Sequence, residues 1–207
     1  MSDYTAILKP DCIYHIYNRA NGNEKIFIQP DNYEFFLKKY KQHIYSIADT
    51  FCYCLMPNHF HFLVRIKSET ALSNLAGFEN ITNPTGFENL SGLISQRFGN
   101  CFNSYSKAIN KQEGRKGGLF IRPFKRKKIE NLQYLRKVVH YIHFNPVEAG
   151  LCKTPEKHKY SSFTSLISNS KTLLNRDETI SWFDDLENFI YIHKHPPELT
   201  GIDLTFM

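Results

Sequence analysis

The chain has 207 residues, of which 42% are hydrophobic and 22% charged. Those are the proportions of one globular domain, and they exclude a disordered chain, a collagen-like repeat and a simple coiled coil. Its 26 basic and 20 acidic residues leave a net charge of +6, which favours a polyanionic partner.

The rings (17 Phe, 12 Tyr and one Trp) suffice for a sizeable core with some to spare. Five cysteines, at 12, 52, 54, 101 and 152, form no C-x-x-C pair. Neither a disulfide framework nor a zinc knuckle is signalled, and reduced thiols are expected. No leader pattern opens the chain, and no run approaches the roughly 18 apolar residues of a membrane helix. A soluble, cytoplasmic protein with no membrane partner is the expectation.

In chain order, residues 11–18 are rich in β-branched and aromatic types and read as a strand, followed by a turn at Asn21-Gly22-Asn23. Pro30-Asp31 opens a helix in which Tyr33, Phe36, Leu37, Tyr40 and Ile44 recur at helical spacing. Residues 50–56 and 59–66 read as strands joined through Pro57-Asn58 into a hairpin. Residues 68–90 read as an inserted loop in which Gly-Phe-Glu-Asn occurs twice, at 77–80 and 86–89. Leu93, Ile94, Phe98, Phe102 and Tyr105 mark a second helix to about residue 110. Leu119–Phe124 is the expected fourth strand. A helix follows from Glu130 to Asn145, where Pro146 is expected to end it. The order β-α-β-β-α-β plus a helix is the ferredoxin-like arrangement of an α+β protein. It sets a domain at 1–153 and a helical C-terminal extension at 154–207, with a short helical piece from Tyr160-Ser-Ser-Phe163 and a longer one over Glu178–His193. Charge is divided along the chain: nine basic residues and one acidic between Lys107 and Lys128, seven acidic and one lysine from Asp177 onward.

Two pairs of residues carry chemistry. His59 and His61 are two apart on a strand, so they share a face with Cα atoms roughly 6–7 Å apart and can converge on one metal ion. Imidazole suits several divalent metals and names none. Tyr141 and Asn145, four apart on a helix, share a face at about 5–6 Å between Cβ atoms. Asn145 offers an amide oxygen and Tyr141 an oxygen nucleophile. Each pair also has a plain structural reading: incidental strand histidines, a tyrosine at the rim of a packed helix, and an asparagine that caps its end.

Cys54-Leu-Met-Pro-Asn-His-Phe-His-Phe-Leu-Val64, followed by Tyr141-Ile-His-Phe-Asn-Pro-Val-Glu-Ala-Gly-Leu151, resembles the HUH single-tyrosine transposases. Within them it is most similar to the REP-associated tyrosine transposase branch. Tyr14-His-Ile-Tyr-Asn-Arg19 and Gly118-Leu-Phe-Ile-Arg-Pro-Phe124 fit the same pattern, so the resemblance covers about residues 8–155. It implies His59, His61 and Asn145 as ligands of a divalent metal, Mg2+ or Mn2+, and Tyr141 as the nucleophile. It also implies a covalent 5′-phosphotyrosine intermediate and single-stranded, hairpin-containing DNA as substrate. The 68–90 insertion is longer than the family's usual link.

A phenol, with a reference pKa of about 10, is mostly protonated at neutral pH, so Lys137, one turn before Tyr141, is a candidate to assist it. For DNA contact the candidates are Arg19 and Asn18 at a strand end, then Lys116, Arg122, Lys125, Arg126, Lys127, Lys128 and Lys137. Cations for phosphates with interleaved Phe120 and Phe124 for bases suit single-stranded nucleic acid. His143 is expected to be structural. The acidic tail is expected to form ordinary polar helices, and the C-terminal extension favours a monomer over a homodimer. Competing functions are a catalytically idle nucleic-acid-binding module of this fold and a metal hydrolase using activated water.

Overall fold

The structure, a computed structural model, describes residues 5–75 and 86–200. Four strands, β1 (Ile13–Arg19), β2 (Ala48–Met56), β3 (His59–Ile66) and β4 (Lys125–Ile129), form one antiparallel sheet in the order β2-β3-β1-β4. The helices are α1 (Pro30–Ile44), α2 (Glu69–Ser73), α3 (Gly86–Gln112), α4 (Leu132–Glu148), α5 (Phe163–Ile167), α6 (Arg176–Ser181) and α7 (Leu186–His193). This is the expected α+β, ferredoxin-like order.

The two central strands are buried on both faces, and their alternation sorts side chains into two cores. Tyr14, Ile16, Phe60, Phe62 and Val64 point to one side and join Phe36 and Tyr40 of α1 with Phe98, Phe102 and Tyr105 of α3. Cys52, Cys54, Met56, Leu63 and Ile129 point to the other and meet Leu135, Val138, Val139 and Ile142 of α4, with Phe163, Phe183 and Phe189 beyond. The C-terminal segment thus shares a core with α4. It also covers the β2 edge, where Leu55 N–H donates to Tyr160 O at 2.9 Å and Ser162 N–H to Tyr53 O at 2.9 Å. The opposite edge, β4, reads Lys-Arg-Lys-Lys-Ile, a charged edge that resists pairing with another chain.

Four expectations need correction. The fourth strand is Lys125–Ile129, not Leu119–Phe124. Pro123 has no N–H to give a ladder, and Leu119 and Phe120 are drawn into the core, so that segment touches the sheet only near its start: Phe120 bridges Ala20 and Ile121 N–H donates to Arg19 O at 3.0 Å. Helix α4 runs through Pro146 to Glu148. Its stop is Gly150 at φ 68, where Gly150 N–H bonds Val147 O and Leu151 N–H bonds Pro146 O at 3.0 and 2.9 Å. That Schellman pairing satisfies the last carbonyls. The Glu178–His193 helix divides into α6 and α7, because Asp184 turns the chain at φ 71 and Asp185 caps α7 by accepting from Asn188 N–H at 2.8 Å. Finally, the 68–90 stretch is not all loop. Ser68 caps the short α2, accepting from Ala71 N–H, and α3 begins at Gly86. The first Gly-Phe-Glu-Asn copy lies outside the described residues.

Candidate metal and nucleophile site

Strand register places the candidate residues. His59 is opposite Arg19 and His61 opposite Tyr17 across β3 and β1, while Phe60 is opposite Asn18. Directly opposed residues share a face. Arg19, Tyr17, His15, His59 and His61 therefore lie under α4, whereas Asn18 faces the α1/α3 side. Helix α4, capped by Asn131, whose side chain accepts from Tyr134 N–H, lays Tyr141 and Asn145 on that same surface.

The four central side chains meet. His59 Nε2 lies 3.0 Å from Asn145 Oδ1, and His61 Nε2 lies 3.5 Å from Asn145 Nδ2. The two imidazole centroids are 5.1 Å apart. The Tyr141 ring stands edge-on to His61 at 5.3 Å and to His15 at 6.3 Å. Tyr141 is 0% exposed, and His59, His61 and Asn145 are at most 5% exposed.

Each imidazole is held from behind. His61 Nδ1 is 2.9 Å from His15 Nε2, and His59 Nδ1 is 2.8 Å from Asn58 Oδ1. Such outer contacts orient a ligand's free nitrogen inward. Burial pushes the His61 pKa well below its ordinary value, with His15 and His59 acting in the same direction. Burial lowers that of His59 to about 4, opposed by its bond to Asn145 and assisted by Arg19. Both rings are neutral at physiological pH, as metal ligation requires.

His59 supplies the test of fit. A neutral imidazole has one N–H, yet both of its nitrogens face amide oxygens, Asn58 Oδ1 and Asn145 Oδ1. One of those oxygens therefore meets a lone pair, a conflict that either a cation between His59 Nε2 and Asn145 Oδ1 or a turn of the Asn58 amide would relieve. Two imidazole nitrogens and an amide oxygen are a donor set that several divalent metals accept, and it selects none of them. Among the described residues, no cluster of three His, Cys, Asp or Glu offers an alternative.

The cations expected to touch DNA divide by position. Lys125 and Lys127 pair with Tyr17 and His15 and so lie on the site's face, while Arg126 and Lys128 point to the other side. Lys127 sits over the Tyr134 ring at 4.5 Å. Arg126 Nε donates to Ala6 O at 2.6 Å. Lys116 is exposed. Arg122, also exposed, donates to Asn103 Oδ1 at 2.8 Å. Asn18 is buried and donates to Ile121 O at 3.0 Å, which ties β1 to the 119–124 segment. Lys137 Nζ lies 2.9 Å from Glu198 Oε1 of the tail.

His143 points away from the site, with Nδ1 3.1 Å from His193 Nε2 and Nε2 2.9 Å from Ser162 Oγ. Sequence reasoning missed His15 and Asn58. The signal for His15 was its period-two relation to Arg19, which becomes informative only when β1 is known to lie beside β3. A cavity of about 400 Å3 opens beside His59 and Asn145, between the Pro57-Asn58 turn, Asn23 and Lys25, and the end of α4 at Glu148–Leu151.

Compared with protein-family models and with curated proteins, the sequence matches none. Among solved structures it is similar to a REP-associated tyrosine transposase bound to a REP hairpin, with a TM-score of 0.58 and 14% identity over 84% of this chain and 94% of that one. With its strand order, helix placement and near-complete mutual coverage, this chain has the fold of a REP-associated tyrosine transposase.

Proposed function

We propose that the protein is a metal-dependent tyrosine transposase of the REP-associated kind, which cuts and rejoins single-stranded, hairpin-containing DNA through Tyr141. The observation that carries this reading is the meeting of Tyr141 and Asn145, one turn apart on α4, with the His59/His61 pair on β3. The hairpin-bound neighbour of the same fold supports DNA as the partner.

A phosphodiester is an anion that repels nucleophiles. His59, His61 and Asn145 would hold a divalent ion, Mg2+ or Mn2+, which when bound neutralises non-bridging phosphate oxygens. Tyr141 Oη forms a bond to phosphorus as the bond to the 3′-oxygen breaks. The phenolic proton passes to solvent, and the 3′-oxygen takes a proton from water. The product is a 5′-phosphotyrosine and a free 3′-hydroxyl, and the ester conserves the bond for rejoining. Arg19, Lys125 and Lys127, which share that face, would hold flanking phosphates.

The phenol is fully buried in this conformation, so strand attack requires α4 to lift or Tyr141 to rotate toward the metal site. That burial also favours the second reading, a nucleic-acid-binding module whose chemistry is idle. Incubating the protein with hairpin-bearing single-stranded DNA and Mn2+ separates the two. A denaturation-resistant protein–DNA adduct that is lost in Tyr141→Phe, with DNA binding retained, supports the transposase. Binding with no adduct supports the idle module. Cleavage that survives Tyr141→Phe supports hydrolysis by activated water and defeats both.

A further inference from the structure

The cavity beside His59 touches only one end of the site: His59 and Asn145 line it, but His61 and Tyr141 do not. Along α4 the order is Tyr141, Asn145, Glu148, on one helical face at spacings of four and three. Tyr141 packs against His61 and His15, toward one side of the donor group, and the cavity lies toward the other. In-line displacement puts the nucleophile and the leaving oxygen on opposite sides of phosphorus. When Tyr141 comes forward from the side on which it now packs, its attack on a phosphate at His59, His61 and Asn145 directs the leaving 3′-oxygen toward the cavity.

Its lining suits a nucleoside better than a further phosphate. Met56, Pro57 and Leu151 give it apolar walls. Glu148 contributes a carboxylate that repels phosphate and accepts N–H or O–H groups. Lys25, also on the lining, can hold the next phosphate upstream. Its volume, about 400 Å3, is within the roughly 300–1,000 Å3 of small-molecule sites.

We infer that this cavity docks the terminal nucleoside of the strand that departs with the 3′-hydroxyl, holding it in place for rejoining. The inference rests on the transposase reading and names the site's second strand.

The test uses full-length Tyr141→Phe protein, which leaves strands intact, with Mn2+ and two probes. One is a short single strand ending in a 3′-hydroxyl, and the other is a closed hairpin. Leu151→Trp, at a residue that is 49% exposed, fills the cavity mouth. It is expected to weaken binding of the 3′-hydroxyl strand at least tenfold and to change hairpin binding less than twofold. Unchanged binding of both probes, or an equal loss of both, overturns the inference. As a measurement free of variant folding, a strand ending in 5-iodo-deoxyuridine is photocrosslinked and the attached peptide mapped. Attachment within 23–25, 56–58 or 148–151 supports the inference, and attachment elsewhere overturns it. If native protein forms the Tyr141 adduct while these tests fail, only the docking inference falls. If it binds neither probe, the transposase reading falls as well.

Discussion

His15 Nε2 and His61 Nδ1 are joined at 2.9 Å across adjacent central strands, in full burial. This contact fixes which nitrogen His61 turns toward Asn145. His15→Phe keeps a ring at the position but removes the partner. Losing such an outer contact is expected to lower Mn2+ affinity about 10–100-fold, read by titration calorimetry, with the thermal transition still cooperative. Unchanged Mn2+ affinity in that variant would show that His61 needs no orienting partner.

Lys127 and Lys128 are neighbours on an edge strand that face opposite sides of the sheet. If the DNA strand runs over the α4 face, Lys127→Ala reduces the slope of log affinity against log salt by about one, as one lost phosphate contact should. Lys128→Ala leaves the slope close to that of the unaltered protein. Equal effects of the two substitutions would place the strand across the edge rather than on one face.

Acid is expected to destabilise the α4–α7 packing. Burial, with His140 acting in the same direction, lowers the His193 pKa to about 3, and burial also pushes His143 well below its ordinary value. In the unfolded chain both return to about 6.5. The unfolded state therefore binds protons first as pH falls. The stability from keeping these rings neutral is complete above about pH 6.5 and drains away toward pH 3, at up to about 1.4 kcal/mol per pH unit for each ring. Urea unfolding followed at Trp182, the only tryptophan, which packs 4.5 Å from Phe51, reads the loss. In His193→Gln the slope below pH 6 is shallower; an unaltered slope would assign acid sensitivity to other groups.

Phe60 sits between the two site histidines in sequence but is wholly buried among Phe36, Phe102 and Phe120 on the other face. Phe60→Ala should cost about 3–5 kcal/mol of folding stability, the range for such truncations. Measured by denaturant unfolding, a cost under about 1 kcal/mol would mean that this core collapses around the gap.

Much of this architecture was legible because periodicity is a local property. The hairpin at Pro57-Asn58, the α1 face on which Tyr33, Phe36 and Tyr40 recur, and the body of α4 all follow from patterns within one element. The misplaced fourth strand shows where local reading fails. Leu119–Phe124 looks more strand-like than Lys125–Ile129, but an edge strand is chosen by which backbone can pair with β1, and a charged run serves there because one side stays wet. Similarly, Pro146 read as a helix stop although Gly150, four residues on, closes the helix. Of the site, the spacing of His59 with His61 and of Tyr141 with Asn145 was visible. That the two pairs meet, and that His15 and Asn58 support them, depends on contacts between distant segments that periodicity does not encode.

The two-residue connection between β2 and β3 has a further consequence. Since side chains alternate strictly along β3, a slip of one position in its pairing would turn His59 and His61 into the aromatic core around Phe36 and Phe102 and turn Phe60 and Phe62 toward α4. A chain folded in that way would lose its aromatic core and its imidazole pair together. Correct assembly of the sheet and the meeting of the imidazole pair with Tyr141 and Asn145 are thereby inseparable.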